Sequence, residues 1–226
     1  MPVALAFLLA LALAGCAARP LTPAERAFAE TVTGEAVSLE NVRIIKGSAS
    51  ALVPVTVPVR PRLTCRERLT PPRSEPVPGY FAAMALGNRV HYARRAWRAD
   101  MLAGYPDRME LGQAMRLAHE LVHVWQWQAR AETGYAPWRA GLEHVELADP
   151  YLVDLDDEMD FLDYGWEQQG VLVEEFVCCR ALDPEAPRTA ELQALVRQVW
   201  PGAAAEEIAA RVDLPWDGAE TRGICR

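Results

Sequence analysis

The stretch His119-Glu120-Leu121-Val122-His123 lies inside an apolar run, residues 111–127, that reads as one buried helix. Residues four apart on an α-helix lie one above the other, so His119 and His123 can offer both imidazoles to a single metal ion. Glu120 is rotated by about 100° around the axis from His119. Its carboxylate therefore falls beside such an ion and not on it, where it can take a proton from water. The pentapeptide is HExxH, and it reads as a zinc site with His119 and His123 as ligands and Glu120 as the catalytic base. The surrounding helix, expected over residues 110–130, is apolar nearly all round, including Leu111, Ala114, Leu117, Leu121, Val122 and Trp125, which puts it in the middle of its domain. Three polar groups in so dry a place are costly unless a metal or hydrogen bonds satisfy them.

Zinc in a hydrolytic site takes three protein ligands and leaves a fourth position open. A histidine six residues after His123 would complete the tight three-histidine arrangement, but position 129 is Ala, and His144 comes too late. His91 alternates with Val90 and Tyr92 and reads as a partly buried strand residue. The spacing therefore points to two histidines and one carboxylate, with a Glu supplied by a later helix. Residues 165–182 read as that helix, anchored by Val171, Val173 and Phe176 and ended by Asp183-Pro184. Glu167 and Glu174, seven apart, share one of its faces, while Glu175 is turned away.

The run Ala118-His119-Glu120-Leu121-Val122-His123-Val124-Trp125-Gln126, together with Glu167-Gln168-Gln169-Gly170 and a following acidic pair, resembles zincin-type metallopeptidase-like domains of bacteria, broadly the gluzincins. Some of these occur near secretion or contractile-injection systems. The resemblance covers mainly residues 80–180, with a weaker echo at Val42-Arg43-Ile44. It implies an α+β, zincin-like domain, mostly helical, with a small edge sheet and hairpin packed beside the HExxH helix. It also implies one Zn2+ and Glu167 as the third ligand, because Gly170 follows three residues later, with Glu174 as the alternative. Many gluzincins place an Asp four residues after that Glu to orient a ligand histidine, but position 171 is Val here. That support is expected instead from Glu174, Asp163 or a backbone carbonyl. The implied activity is zinc-dependent hydrolysis of a peptide or protein substrate, with Tyr164, Tyr151 or His144 as donor to the oxyanion. The alternatives are a non-catalytic surface protein that keeps the fold as a binding or assembly module, and hydrolysis of a non-peptide amide such as a cell-wall bond.

Around this centre the rest of the chain reads as a single domain, residues 23–226, expected to be a monomer. Residues 1–14 lack any charged side chain and lead into Leu13-Ala14-Gly15-Cys16. This resembles a bacterial lipoprotein signal, which implies removal of residues 1–15, lipidation of Cys16, a tether over 16–22, and an exported protein anchored at a membrane on the periplasmic or cell-surface side. No second apolar stretch is long enough to span a bilayer. A net charge of −8 and a pI near 5.1 argue against a nucleic-acid partner. In an oxidising compartment Cys65, Cys178, Cys179 and Cys225 form two disulfides. A bond between the adjacent Cys178 and Cys179 would be strained, so Cys65 and Cys225 each take one of them, in either order.

Thr22-Pro23-Ala24-Glu25 reads as a helix start, a capping Thr with Pro in the first turn and Glu three residues on, for a helix to about Val32. Residues 42–46 and 51–59 read as strands placed at an edge because of Pro54 and Pro58, and residues 61–78 as an irregular loop stapled through Cys65. Gly87-Asn88 joins two short strands, 81–86 and 89–93, into a hairpin. Further helices are expected over 95–103, 190–200 and 203–212. Residues 143–163 carry nine carboxylates and no Lys or Arg. They read as a solvated acidic loop bordering the cleft and favouring basic substrates; Asp154-x-Asp156-x-Glu158-x-Asp160 lacks the glycine of a calcium-binding EF-hand loop.

Overall fold

The structure, a computed structural model, describes residues 18–48, 52–155, 158–203 and 208–226. The expected signal segment, Cys16, and Asp156 with Asp157 of the acidic stretch lie outside the described residues. The architecture is mixed α+β. Two long helices, α3 (Leu111–Gln128) and α6 (Trp166–Leu182), pack against each other at the centre. A four-stranded sheet lies beside α3, ordered β1 (Ala18–Arg19), β2 (Arg43–Lys46), β6 (Arg89–Tyr92) and β5 (Ala83–Leu86). The β2 and β6 strands run parallel, the other pairs antiparallel, and β5 forms one edge.

Local sequence accounts for several of these elements. Helix α1 (Pro23–Thr33) opens with a full capping box: Thr22 Oγ1 accepts from Glu25 N, and the Glu25 carboxylate accepts from Thr22 N. That carboxylate is fully buried and also receives both outer nitrogens of Arg19 at 2.7 Å and the backbone N–H of Met101 at 2.9 Å. The β5–β6 hairpin turns at Gly87, whose φ of 61° is a conformation that side chains with a Cβ disfavour.

Other elements depart from expectation. Strand β2 is interior, because residues 43–46 contain no proline and keep both backbone edges free to pair. The proline-bearing neighbour, β3 (Val55–Val57), pairs only with β4 (Val77–Gly79) in a separate two-stranded sheet. Part of the expected tether belongs to the folded unit, since Ala18 and Arg19 pair with Ile45 and Ile44. Residues 95–103 form turns instead of a helix: the Met101 and Leu102 amides are taken by the carboxylates of Glu25 and Asp100, which compete with a helical ladder. The described part of 203–212 is not helical either. There, β8 (Val212–Asp213) adds in parallel to β7 (Met109–Glu110), just before α3. Helix α7 (Pro187–Arg197) packs on α6.

Two disulfides leave consecutive positions of α6 in different directions. Cys178 bonds Cys65, which opens the short helix α2 (Cys65–Arg68), and Cys179 bonds Cys225 near the C-terminus. The first bond clips the otherwise irregular 61–78 segment onto α6, where the buried Glu175 carboxylate accepts the backbone N–H groups of Cys65 and Arg66 at 2.9 and 2.8 Å. No described helix is long and apolar enough to cross a membrane.

Candidate metal centre

His119 and His123 project from the same side of α3 into its contact with α6, where Glu167 stands in the first helical turn. The three side chains are almost fully buried, with ligating atoms close enough to share an ion. The two Nε2 atoms are 3.1 Å apart, and Glu167 Oε2 lies 3.2 Å from His119 Nε2 and 3.4 Å from His123 Nε2. An ion at zinc–nitrogen and zinc–oxygen bond lengths from three tetrahedral ligands sets those ligand atoms about 3.3 Å apart. The triangle has the size the ion requires.

The hydrogen-bond network also fixes which nitrogen of the His123 ring faces the centre. Gln169 Nε2 donates to the Tyr164 carbonyl, so its Oε1 faces Gln126. Gln126 Nε2 donates to that Oε1 and to the Trp166 carbonyl, which leaves Gln126 Oε1 to accept from His123 Nδ1 at 2.8 Å. On the other ring, His119 Nδ1 lies 3.5 Å from the Glu174 carboxylate. His119 Nδ1 makes no hydrogen bond, and the two Nε2 atoms converge with a carboxylate oxygen on one point, where a shared proton or a cation satisfies them. The donor set of two imidazoles and a carboxylate suits a borderline divalent ion.

Glu174, the alternative third ligand, thus sits behind His119 instead of on the triangle. It is held there by Arg66 at 3.0 Å. Asp163 does not reach a ligand imidazole; it caps Asp160 N. Gln126 was missed in the sequence reading, although its place three residues after His123, on the same helix face, was a usable signal. Gly170 gives the His119 ring its space, as a Cβ there would stand 2.6 Å from Cε1.

Glu167 is positioned from a helix that the sequence reading passed over, α5 (Pro137–Glu146), which follows the short α4 (Arg130–Thr133) and lies partly in the expected acidic loop. Its Glu143 carboxylate accepts the N–H groups of Trp166 and Glu167 at 2.9 and 3.1 Å and so caps α6. Next to Glu143 on α5, His144 contacts Glu167 Oε1 through Nε2 at 3.1 Å. Burial alone would raise the Glu167 carboxyl, but the charge of His123 and hydrogen bonds from His119, His123 and His144 hold it well below the usual carboxylate range. Burial likewise opposes a charged His123, yet Glu167 and Glu120 lift it to about 9.

Glu120 lies beside the triangle, buried, with Oε2 lacking a hydrogen-bond partner. Burial pushes its carboxyl up, against the opposing influence of His119 and His123. Two cavities of about 560 and 290 Å³ meet over it, sharing Phe81, Ala83, His119, Glu120, His144 and Tyr151 as walls, and form one cleft with two lobes. Edge strand β5 lines the smaller lobe.

The expected oxyanion donors separate here. Tyr151 lines both lobes, with its ring 6.0 Å from His119 and 5.5 Å from His144. Burial, then the charge of Glu167, keeps its phenol far above the ordinary value, so it remains a donor. His144 also lines both lobes, and both it and the Tyr151 hydroxyl contact Glu167. Tyr164 is buried and lines neither. Tyr135, unremarked in the sequence, stacks on His123 at 6.2 Å and lines the smaller lobe; no local pattern announces it.

The sulfurs of Cys65, Cys179 and Cys225 also lie close together, but all are consumed in the two disulfides. Fold and site together define an α+β chain whose two-histidine, one-carboxylate cluster could hold a metal ion. No protein-family model matches the chain, and no curated protein matches it. Among solved structures it is similar to the effector domain of Pseudomonas aeruginosa VgrG2b, at 20% identity and a TM-score of 0.47, over 82% of this chain and 83% of that one.

Proposed function

We propose that the chain is a zinc-dependent peptidase with a zincin-like fold, exported and tethered to a membrane through Cys16. The observation that carries the reading is the convergence of His119 Nε2, His123 Nε2 and Glu167 Oε2 at ion-sharing distances, with the unpartnered carboxylate of Glu120 beside them at the floor of a cleft. His119, His123 and Glu167 would hold the ion. Zinc in such a site lowers the pKa of water and polarises a carbonyl.

The chain's own residues supply the rest. Glu120 takes the proton from the attacking water and passes it to the leaving amine; its burial-raised basicity brings it nearer the pH at which it works. The Tyr151 phenol, kept protonated, donates to the oxygen on which negative charge develops. Strand β5, with no partner on its outer side among the described residues, offers backbone groups to an extended peptide. The two disulfides fit an oxidising compartment.

The test is Glu120→Gln. Zinc content should match the parent while hydrolysis of an unstructured protein such as casein is lost. Parent-like cleavage by the variant overturns the mechanism, and a parent that binds no stoichiometric zinc favours a binding module instead.

A further inference from the structure

The acidic stretch 143–163 suggested basic substrates, but the larger lobe of the cleft does not offer them a free carboxylate. Of that stretch only Asp149 lines the lobe through an acidic side chain, and both its oxygens are held by Arg60, at 2.5 and 2.8 Å. Glu67 faces Arg60 and Arg66 at 3.4 and 3.0 Å, and Glu174 faces Arg66 at 3.0 Å. Glu120 is the remaining acid of the lobe, and the reaction uses it.

The cations of the same walls do not cancel in this way. Arg116 is half-buried, and its hydrogen bond is to the neutral Gln113, at 3.1 Å. Arg73 is exposed, with no ion-pair or hydrogen-bond partner among the described residues. Arg60 and Arg66 are thus engaged by the three acids, and Arg116 and Arg73 are the two guanidinium groups of the lobe without an acidic partner among the described residues. Arg116 precedes Glu120 by four residues on α3, so the two share a face, and no ion pair joins them.

We propose that Arg116, with Arg73 at the rim, selects substrates that carry a carboxylate near the scissile bond. The reading rests on the peptidase function above and names its substrate class. Four helical residues span about 6 Å, and an extended peptide advances about 3.3 Å per residue, so the carboxylate belongs about two residues from the bond that is cut. A guanidinium receives a carboxylate through two parallel hydrogen bonds, and a partly desolvated wall strengthens them. A lysine there would meet two like charges, while Glu67, Asp149 and Glu174 stay engaged with Arg60 and Arg66. The carboxylate can come from a Glu or Asp side chain or from a peptide C-terminus.

The test uses the zinc-loaded chain and one unstructured peptide with Glu, Gln or Lys substituted in turn near the cleaved bond, C-terminally amidated. A second series has Gln throughout and a free C-terminus at those distances. Two readouts are taken: kcat/KM with the parent, and Kd by fluorescence anisotropy with Glu120→Gln, which does not require turnover. At one position Glu should exceed Gln by about tenfold in both readouts. Arg116→Glu should reverse the order in favour of Lys, and Arg73→Glu, at an exposed site with little bearing on folding, should weaken the Glu preference. Zinc content and circular dichroism report whether each variant is folded. Discrimination confined to the free-acid series identifies the chain terminus as the source. A parent Glu-to-Gln ratio within about twofold, or one unchanged in folded Arg116→Glu and Arg73→Glu, overturns the proposal. Cleavage without charge dependence leaves the peptidase standing and removes the selectivity. Charge-dependent binding without cleavage by the parent does the reverse.

Discussion

Gly170 lies against the ring of His119 so closely that a Cβ built on it would stand 2.6 Å from Cε1 and 2.7 Å from Nδ1. Both helices are buried there, so neither can retreat cheaply. Gly170→Ala should therefore displace the imidazole, although alanine is the better helix former by about 1 kcal/mol. Zinc affinity, measured against a competing chromophoric chelator, should fall by at least about tenfold while α-helix content is kept. Parent-like affinity would show that the ring has another place to go.

Gln126 fixes His123 by accepting from its Nδ1, and its own amide is fixed by the Trp166 carbonyl and Gln169. Replacing it with Leu keeps the volume but removes the acceptor. Zinc binding should weaken by about 10–100-fold, the usual cost of losing a partner behind a ligand histidine. A competition titration that finds no weakening would mean His123 does not depend on this bond.

A proton and a metal ion compete for the same point. In the metal-free chain His123 is raised from 6.5 to about 9, against the pull of burial, by Glu167 and Glu120. Between those values the imidazole holds a proton that the metal must displace. Apparent zinc affinity should therefore climb with pH by up to about tenfold per unit and flatten above about 9. The same raised group stabilises the metal-free fold below about pH 6.5, and that contribution is lost as pH rises to about 9. Calorimetry in buffers of different ionisation enthalpy at pH 7.5 should record proton release on zinc binding; no release, or uptake, contradicts this account.

Loss of the Cys65–Cys178 bond acts on the fold and the site together, because it clips Arg66, the partner of Glu174, onto α6. The double variant Cys65→Ser, Cys178→Ser should lose about 2–5 kcal/mol in denaturant unfolding. Its zinc affinity should fall as well, through a less firmly held Glu174. An unchanged unfolding midpoint would show that the Glu175 bonds to α2 suffice on their own.

Some of this was written locally in the chain. The i, i+4 histidines with Glu120 between them, the Thr22 capping box and the Gly87 hairpin turn each depend on residues a few positions apart, and helix and turn geometry bring such residues together in almost any fold. The four cysteines likewise limited the pairings to two, leaving the choice open. What only the tertiary structure decided came from distant segments meeting. Glu167 lies against the Nε2 atoms of both histidines, and Glu174 behind His119, because of how α6 lies on α3. The turns at 95–103 arise because Glu25, far upstream, takes the Met101 amide. The acidic stretch reads as a loop by composition, yet Glu143 caps a helix and Asp149 neutralises Arg60, and those partners lie 23 and 89 residues away. Periodicity and propensity act over a few residues. Charge pairing and backbone satisfaction act through space, and they settled which carboxylates bind, which cap and which remain free to react.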